Sequence, residues 1–211
     1  MCGLLVLAGI VAFEVVGPQV VAGPRVTGDV DETAVRAYYS HAALAPFALG
    51  VFVAAMLFIA FAGALRRTVT GDTIAAYFAG LGFAFAVAEA ALLVAKSALH
   101  VALVELATGG GEVMPLFRFW DLLYNSGLYA VEAALLLAFG LAWLAPGPTP
   151  RWLGVLSLVA AALQGVNMLS LFLGFPDLWT LPGNLAFMAW FVGASLALWK
   201  QGGPPPAPSP R

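Results

Sequence analysis

Long apolar runs alternate with short polar breaks along the chain, and each run of about 20 residues, at ~1.5 Å of rise per residue, is long enough to cross a ~30 Å hydrocarbon core. The pattern predicts six helical spans, at 3–22, 41–65, 73–100, 117–145, 151–174 and 182–200, and then a Pro-rich tail over 201–211 that does not continue a helix. The breaks have physical causes. "GPRVTGDVDET" gathers Gly, Pro and acids, and "RRTVTGDT" closes one helix on two cations and offers Asp72 as N-cap to the next. "ATGGGEVMP", "APGPTPR" and "GFPDLWTLPG" break the remaining runs with glycines and prolines. The predicted fold class is all-α, a polytopic transmembrane helix bundle over residues 1–200. The first run is read as a retained helix rather than a signal peptide, because it lacks a basic start and is interrupted by Glu14 and Pro18.

Span three holds two superimposed patterns. Ala76, Gly80, Ala84 and Ala88 place a small residue at every fourth position, a seam that lets a neighbouring backbone approach closely in lipid, and it is expected to face the bundle. "VAEAALLVAKSALHVALVE", 87–105, carries Glu89, Lys96 and His100 at spacings that put all three within roughly 40° of one line along the helix.

Composition sharpens the class. Hydrophobic residues make up 62% of the chain and charged ones 9%, and the mean hydropathy is +0.95, which excludes an ordinary soluble domain. A net charge of −2 without any Lys/Arg run argues against nucleic acid as a partner. Cys2 is the only cysteine, which excludes an internal disulfide, a CxxC pair and a c-type haem attachment. With the N-terminus in the cytoplasm, Arg66, Arg67, Arg151, Lys200 and Arg211 fall inside and Arg25, Arg36 and Arg118 outside, so the expected placement is multi-pass in the inner membrane with both termini cytoplasmic.

Assigning depth by helical rise brings the intramembrane polar residues together in the outer half. Glu14 comes from span one, Glu89 and Lys96 from span three, Asp121, Asn125 and Glu132 from span four, and Gln164 and Asn167 from span five. Asp121 and Glu132 are eleven residues apart, as are Glu89 and His100, so each pair is expected on one helix face. A charge at the bilayer centre costs at least ~2.5–3.5 kcal/mol on insertion scales, so these groups are expected to pair, Lys96 with Glu89, Asp121 or Glu14. Blander readings stand beside that one. Lys96 and His100, near the predicted helix end, can snorkel to the interface, with His100 the more ordinary surface residue of the two, and Asp121 can be a simple first-turn acid. Asn125, Gln164 and Asn167 are of the type that forms interhelical hydrogen bonds.

The candidate ligand- or proton-binding set is therefore Glu14, Glu89, Lys96, Asp121, Asn125, Glu132 and Asn167. His41 and His100 are the only candidates for a metal or for axial ligands to a b-type haem, and no HExxH, ExxH or cysteine set supports either group. No nucleophile or phosphate-binding motif is present, so nucleophilic hydrolysis and nucleotide chemistry are not expected, and the sequence names no reaction. The expected function is binding of a small ligand or of protons in an outer-half pocket. The alternatives are a proton-coupled small-solute carrier, an accessory subunit of a larger membrane complex and, on His41 and His100, a haem b or metal-binding redox protein. Expected partners are the lipid bilayer, a small-molecule ligand, and a membrane protein or second copy of the chain. "PRWLGVLSLVAAALQGV" after a descending span, with a last helix ending "LALWK", resembles the closing pattern of uncharacterised bacterial six-helix integral membrane proteins. That resemblance implies six helices over the second half's layout and assigns no functional residues.

Overall fold

The computed structural model describes residues 30–40, 44–69, 73–173 and 180–201. Within them every regular element is helical: α1 (Glu32–Tyr39), α2 (Leu44–Arg67), α3 (Thr73–Gly109), α4 (Met114–Leu122), a π segment (Leu123–Leu128), α5 (Tyr129–Leu144), α6 (Arg151–Leu173) and α7 (Thr180–Gln201). Three stretches are long and apolar enough to cross a membrane, Ile74–Gly109, Arg151–Leu169 and Leu181–Gln201, and two shorter apolar helical stretches cover Gly50–Arg66 and Tyr129–Leu144. The span predicted over 3–22 and the N-cap Asp72 lie outside the described residues.

α3 runs nine residues past the predicted end at 100, and its 37 residues rise ~55 Å. Gly110 stops it. The residue adopts φ +76°, the left-handed conformation that only glycine enters freely, and the Gly111 N–H then donates to the Leu106 carbonyl at 2.9 Å. Arg36 of α1 closes the same end by donating from Nη2 to the Gly111 carbonyl at 2.8 Å and from Nη1 to the Ala107 carbonyl at 3.5 Å. A guanidinium at that point also meets the negative end of a long helix dipole. Its own Nη2 is held at 2.6 Å by Glu32 Oε1, one turn back.

α1 lies in a stretch whose polarity predicts only a break. Asp31 starts it by accepting from the Ala34 N–H at 2.7 Å, and Val35, Tyr38 and Tyr39 make its buried stripe against the end of α3. That packing is the reason α3 continues as a helix beyond residue 100, since the extra turns bury Leu103, Val104 and Ala107.

The small-residue seam of α3 lies on a neighbouring ridge, one to two positions from the expected one. Ala76, Ala84 and Ala88 are exposed, and a Cβ built on Gly80 meets nothing within 4 Å. The buried ridge is the neighbouring one, Ala75, Ala79, Gly82, Ala86 and Ala90. Gly82 decides between them, because a Cβ there would come within 2.8 Å of the Phe139 ring on α5. The two ridges are equally small in sequence, but only the second lies on the same face as Glu89, Leu93 and Lys96.

The predicted span at 117–145 begins at Met114 and is interrupted by the π segment. A π turn carries one more residue than an α turn and so rotates the helix beyond it by ~100° relative to an unbroken one. The eleven-residue spacing of Asp121 and Glu132 therefore does not hold them on one face: Glu132 is buried and Asp121 is half-buried.

α2 packs on α3, α3 on α5, α5 on α6 and α6 on α7, and α7 touches α2 again. The α5–α6 approach is tight enough that a Cβ on Gly140 would meet Leu158 at 2.7 Å, and one on Gly154 would lie 3.2 Å from the Gly140 carbonyl oxygen. Apolar burial divides into two clusters. The larger contains Phe58, Phe61, Phe139, Trp143, Trp190 and Phe191, with Phe187 and Trp190 stacked at 5.9 Å and Phe139 and Trp143 at 5.2 Å. The smaller gathers Val35, Tyr39, Leu103, Phe117 and Trp120 around the Gly110 end of α3. Between the two, α3 buries Lys96, Ser97 and His100. At the opposite end, Thr68 Oγ1 accepts from Trp143 Nε1 and from Thr149 Oγ1, both at 3.2 Å, and donates to the Leu65 carbonyl at 2.7 Å, tying α2 to the α5–α6 connection.

Candidate functional site

Glu89 and Glu132 form the polar centre. Glu89 lies on the buried face of α3 with 3% of its surface exposed, and Glu132 occupies the first turn of α5 directly after the π segment, with 6% exposed. The two carboxyl groups act on each other electrostatically. Glu132 is held from α6, where Gln164 Nε2 donates to its Oε2 at 2.6 Å. Asn167 Nδ2, one turn on, donates to Gln164 Oε1 at 2.7 Å. Both amides are buried, so this chain of hydrogen bonds runs through the packed interior of α5 and α6. Glu89 Oε2, by contrast, is buried with no hydrogen-bond partner among the described residues.

The N-terminal turn of α7 closes on the amides. A Cβ built on Gly183 would lie 2.7 Å from Gln164 Oε1 and would also collide with the Asn167 amide. Glycine at that point lets the α7 backbone sit directly against the pair.

Lys96 lies seven residues beyond Glu89, ~10 Å along α3. It is 3% exposed, and its ammonium stands 6.0 Å from the centre of the Trp120 ring, within range of a cation–π attraction. His100 is 6% exposed and meets Tyr39 edge-on at 5.0 Å, with Trp120 at 6.4 Å. Of the two readings of this pair, the one in which they snorkel at a helix end does not hold. The end lies further on, and α1 and α4 fold over this section of α3.

Of the candidate set, Glu89, Glu132 and Asn167 gather in one region across α3, α5 and α6, with Lys96 above them on α3. Asp121 stays half-buried on α4. Asn125 falls in the π segment, and its side chain, like Glu14 and His41, lies outside the described residues. No group of three or more His, Cys, Asp or Glu side chains able to hold a metal occurs among the described residues. Sequence reasoning takes Gln164 as a generic interhelical hydrogen bond and leaves it out of the site. Its polar character at an intramembrane position is the available signal. Gly183 carries no signal beyond standing after a proline.

No protein-family model, curated protein or solved structure matches the chain.

Proposed function

We propose that this is a six-span integral protein of the inner membrane, with both termini in the cytoplasm, that binds a proton on the Glu89–Glu132 pair in the outer half of its bundle. The positive charge bias towards Arg66, Arg67, Arg151 and Lys200 supports the orientation. The observation that carries the reading is Glu89 Oε2, buried and without a hydrogen-bond partner among the described residues, with the buried Glu132 near enough to act on it electrostatically. Two carboxylates held together away from water repel, and each pays a large desolvation cost. One shared proton removes a charge and supplies the missing hydrogen bond. The site needs no metal or organic cofactor for this chemistry.

The test is a pH-difference infrared spectrum of the protein in lipid nanodiscs. A protonated-carboxyl band is expected in the wild type and is expected to vanish in Glu89→Gln. A wild-type spectrum with no such band at any pH would overturn the proposal. Proton flux into proteoliposomes, measured in parallel, separates the roles. Flux lost in Glu89→Gln indicates a carrier, and a band without flux indicates a sensing or binding protein.

A further inference from the structure

The two carboxyl groups are not equivalent, and the difference originates on α7. Glu132 accepts from Gln164, which is itself fixed by accepting from Asn167. Both amides thus direct donors along the chain towards Glu132, and a donor aimed at a carboxyl oxygen favours its charged form. Glu89 Oε2 receives no such bond among the described residues. Reversing the amides would put a Gln164 oxygen against Glu132, and Gly183 bears on that geometry because it packs against Gln164 Oε1 and the Asn167 amide with no side chain between.

We propose that Gly183 is a positioning residue of the carboxyl site: it lets the first turn of α7 press the Asn167–Gln164 pair onto Glu132, so that Glu132 stays the fixed anion and Glu89 alone carries the exchangeable proton. This rests on the proton-binding function proposed for the same pair. Of the other ionisable groups on the elements packed here, α3 itself carries Tyr77 at its near end and Lys96, His100 and Glu105 further along, and α5 carries Tyr129 in addition to Glu132. α4 and the π segment carry Arg118, Asp121 and Tyr124, and α6 has Arg151 at its far end as well as the buried Ser157, Gln164 and Asn167. α2 has only Arg66 and Arg67 at its far end, α7 only Lys200 at its far end, and the segment with Glu14 lies outside the described residues.

The experiment tracks the carboxyl band through paired substitutions in the full-length protein in nanodiscs. In the otherwise native chain, Glu89→Gln is expected to remove the band and Glu132→Gln to leave one. With Gly183→Ala added, the pressed amides are displaced and the proton gains a second home, so the band is expected to survive Glu89→Gln and to disappear only when Glu132→Gln is combined with it. Gln164→Leu removes the same donor without touching α7 and is expected to reproduce the result, which keeps the test available if Gly183→Ala does not fold. Gly80→Ala, whose Cβ meets open space, serves as the control and is expected to behave as the native chain. A band that vanishes with Glu89→Gln in both the Gly183→Ala and Gln164→Leu backgrounds would overturn the positioning role while leaving proton binding intact. Absence of the band in the native chain would overturn both.

Discussion

Thr68 shows how much one hydroxyl can hold. It accepts from an indole on α5 and from Thr149 beyond the end of α5, while donating within its own chain turn. Thr68→Val keeps the shape and removes every one of those bonds, leaving the Trp143 N–H buried without its acceptor. The expected cost is ~1–3 kcal/mol, measured as a lowered unfolding midpoint in detergent, with the carboxyl band unchanged. At this scale the sequence is informative where chemistry is expensive. Glu89 and Glu132 stand out because an intramembrane carboxyl demands a partner, and both are buried together. It is uninformative where the role depends on a neighbour's position. Gln164 bonds Glu132 only because α6 presents it at the right height, and Gly183 matters only because of what a Cβ would strike. His100 reads as an ordinary surface residue in the sequence because the apolar pattern places the end of its helix too early. The true stop lies within Gly109–Gly111, where the second glycine, not the first, makes the left-handed turn.

At the scale of elements, the π segment is the feature that apolar periodicity hides. Hydrophobic content runs evenly through 117–145, and one additional residue in a turn leaves composition untouched while rotating everything beyond it. Deleting Gly127 is expected to restore an unbroken α ladder and to turn α4 by ~100° about α5. Phe117 and Trp120 would then leave the cluster with Tyr39 and His100. Amide hydrogen exchange checks this, with protection expected to fall in α1 and α4 and to persist in α5, α6 and α7. The same scale explains the displaced seam on α3. Two ridges of small residues lie side by side, and only the ring of Phe139, a partner from another element, selects the one with Gly82. α1 is legible in principle, since Asp31 is a capping residue and Val35, Tyr38 and Tyr39 recur at helical spacing, but its eight residues are too short to register as an apolar run.

For the whole molecule, the six-span arrangement we propose would place the connection around Pro148 on the cytoplasmic side and the turn after α3 on the outer side. With Cys2 replaced by Ser, single cysteines at Thr108→Cys and Pro148→Cys are expected to label from opposite faces of sealed vesicles with an impermeant maleimide. Labelling of both from one face would remove the topology. The bundle's polar network also has an order in time. Glu89 is synthesised 43 residues before Glu132 and 75 before Gln164, and at ~5–20 residues per second the second interval lasts roughly 4–15 s. Throughout it, α3 already carries a carboxyl and an ammonium, while the hydrogen-bond chain that ends beside that carboxyl has not yet been translated. In the proposed topology α3 is therefore expected to gain from shelter by the insertion machinery until α5 and α6 arrive.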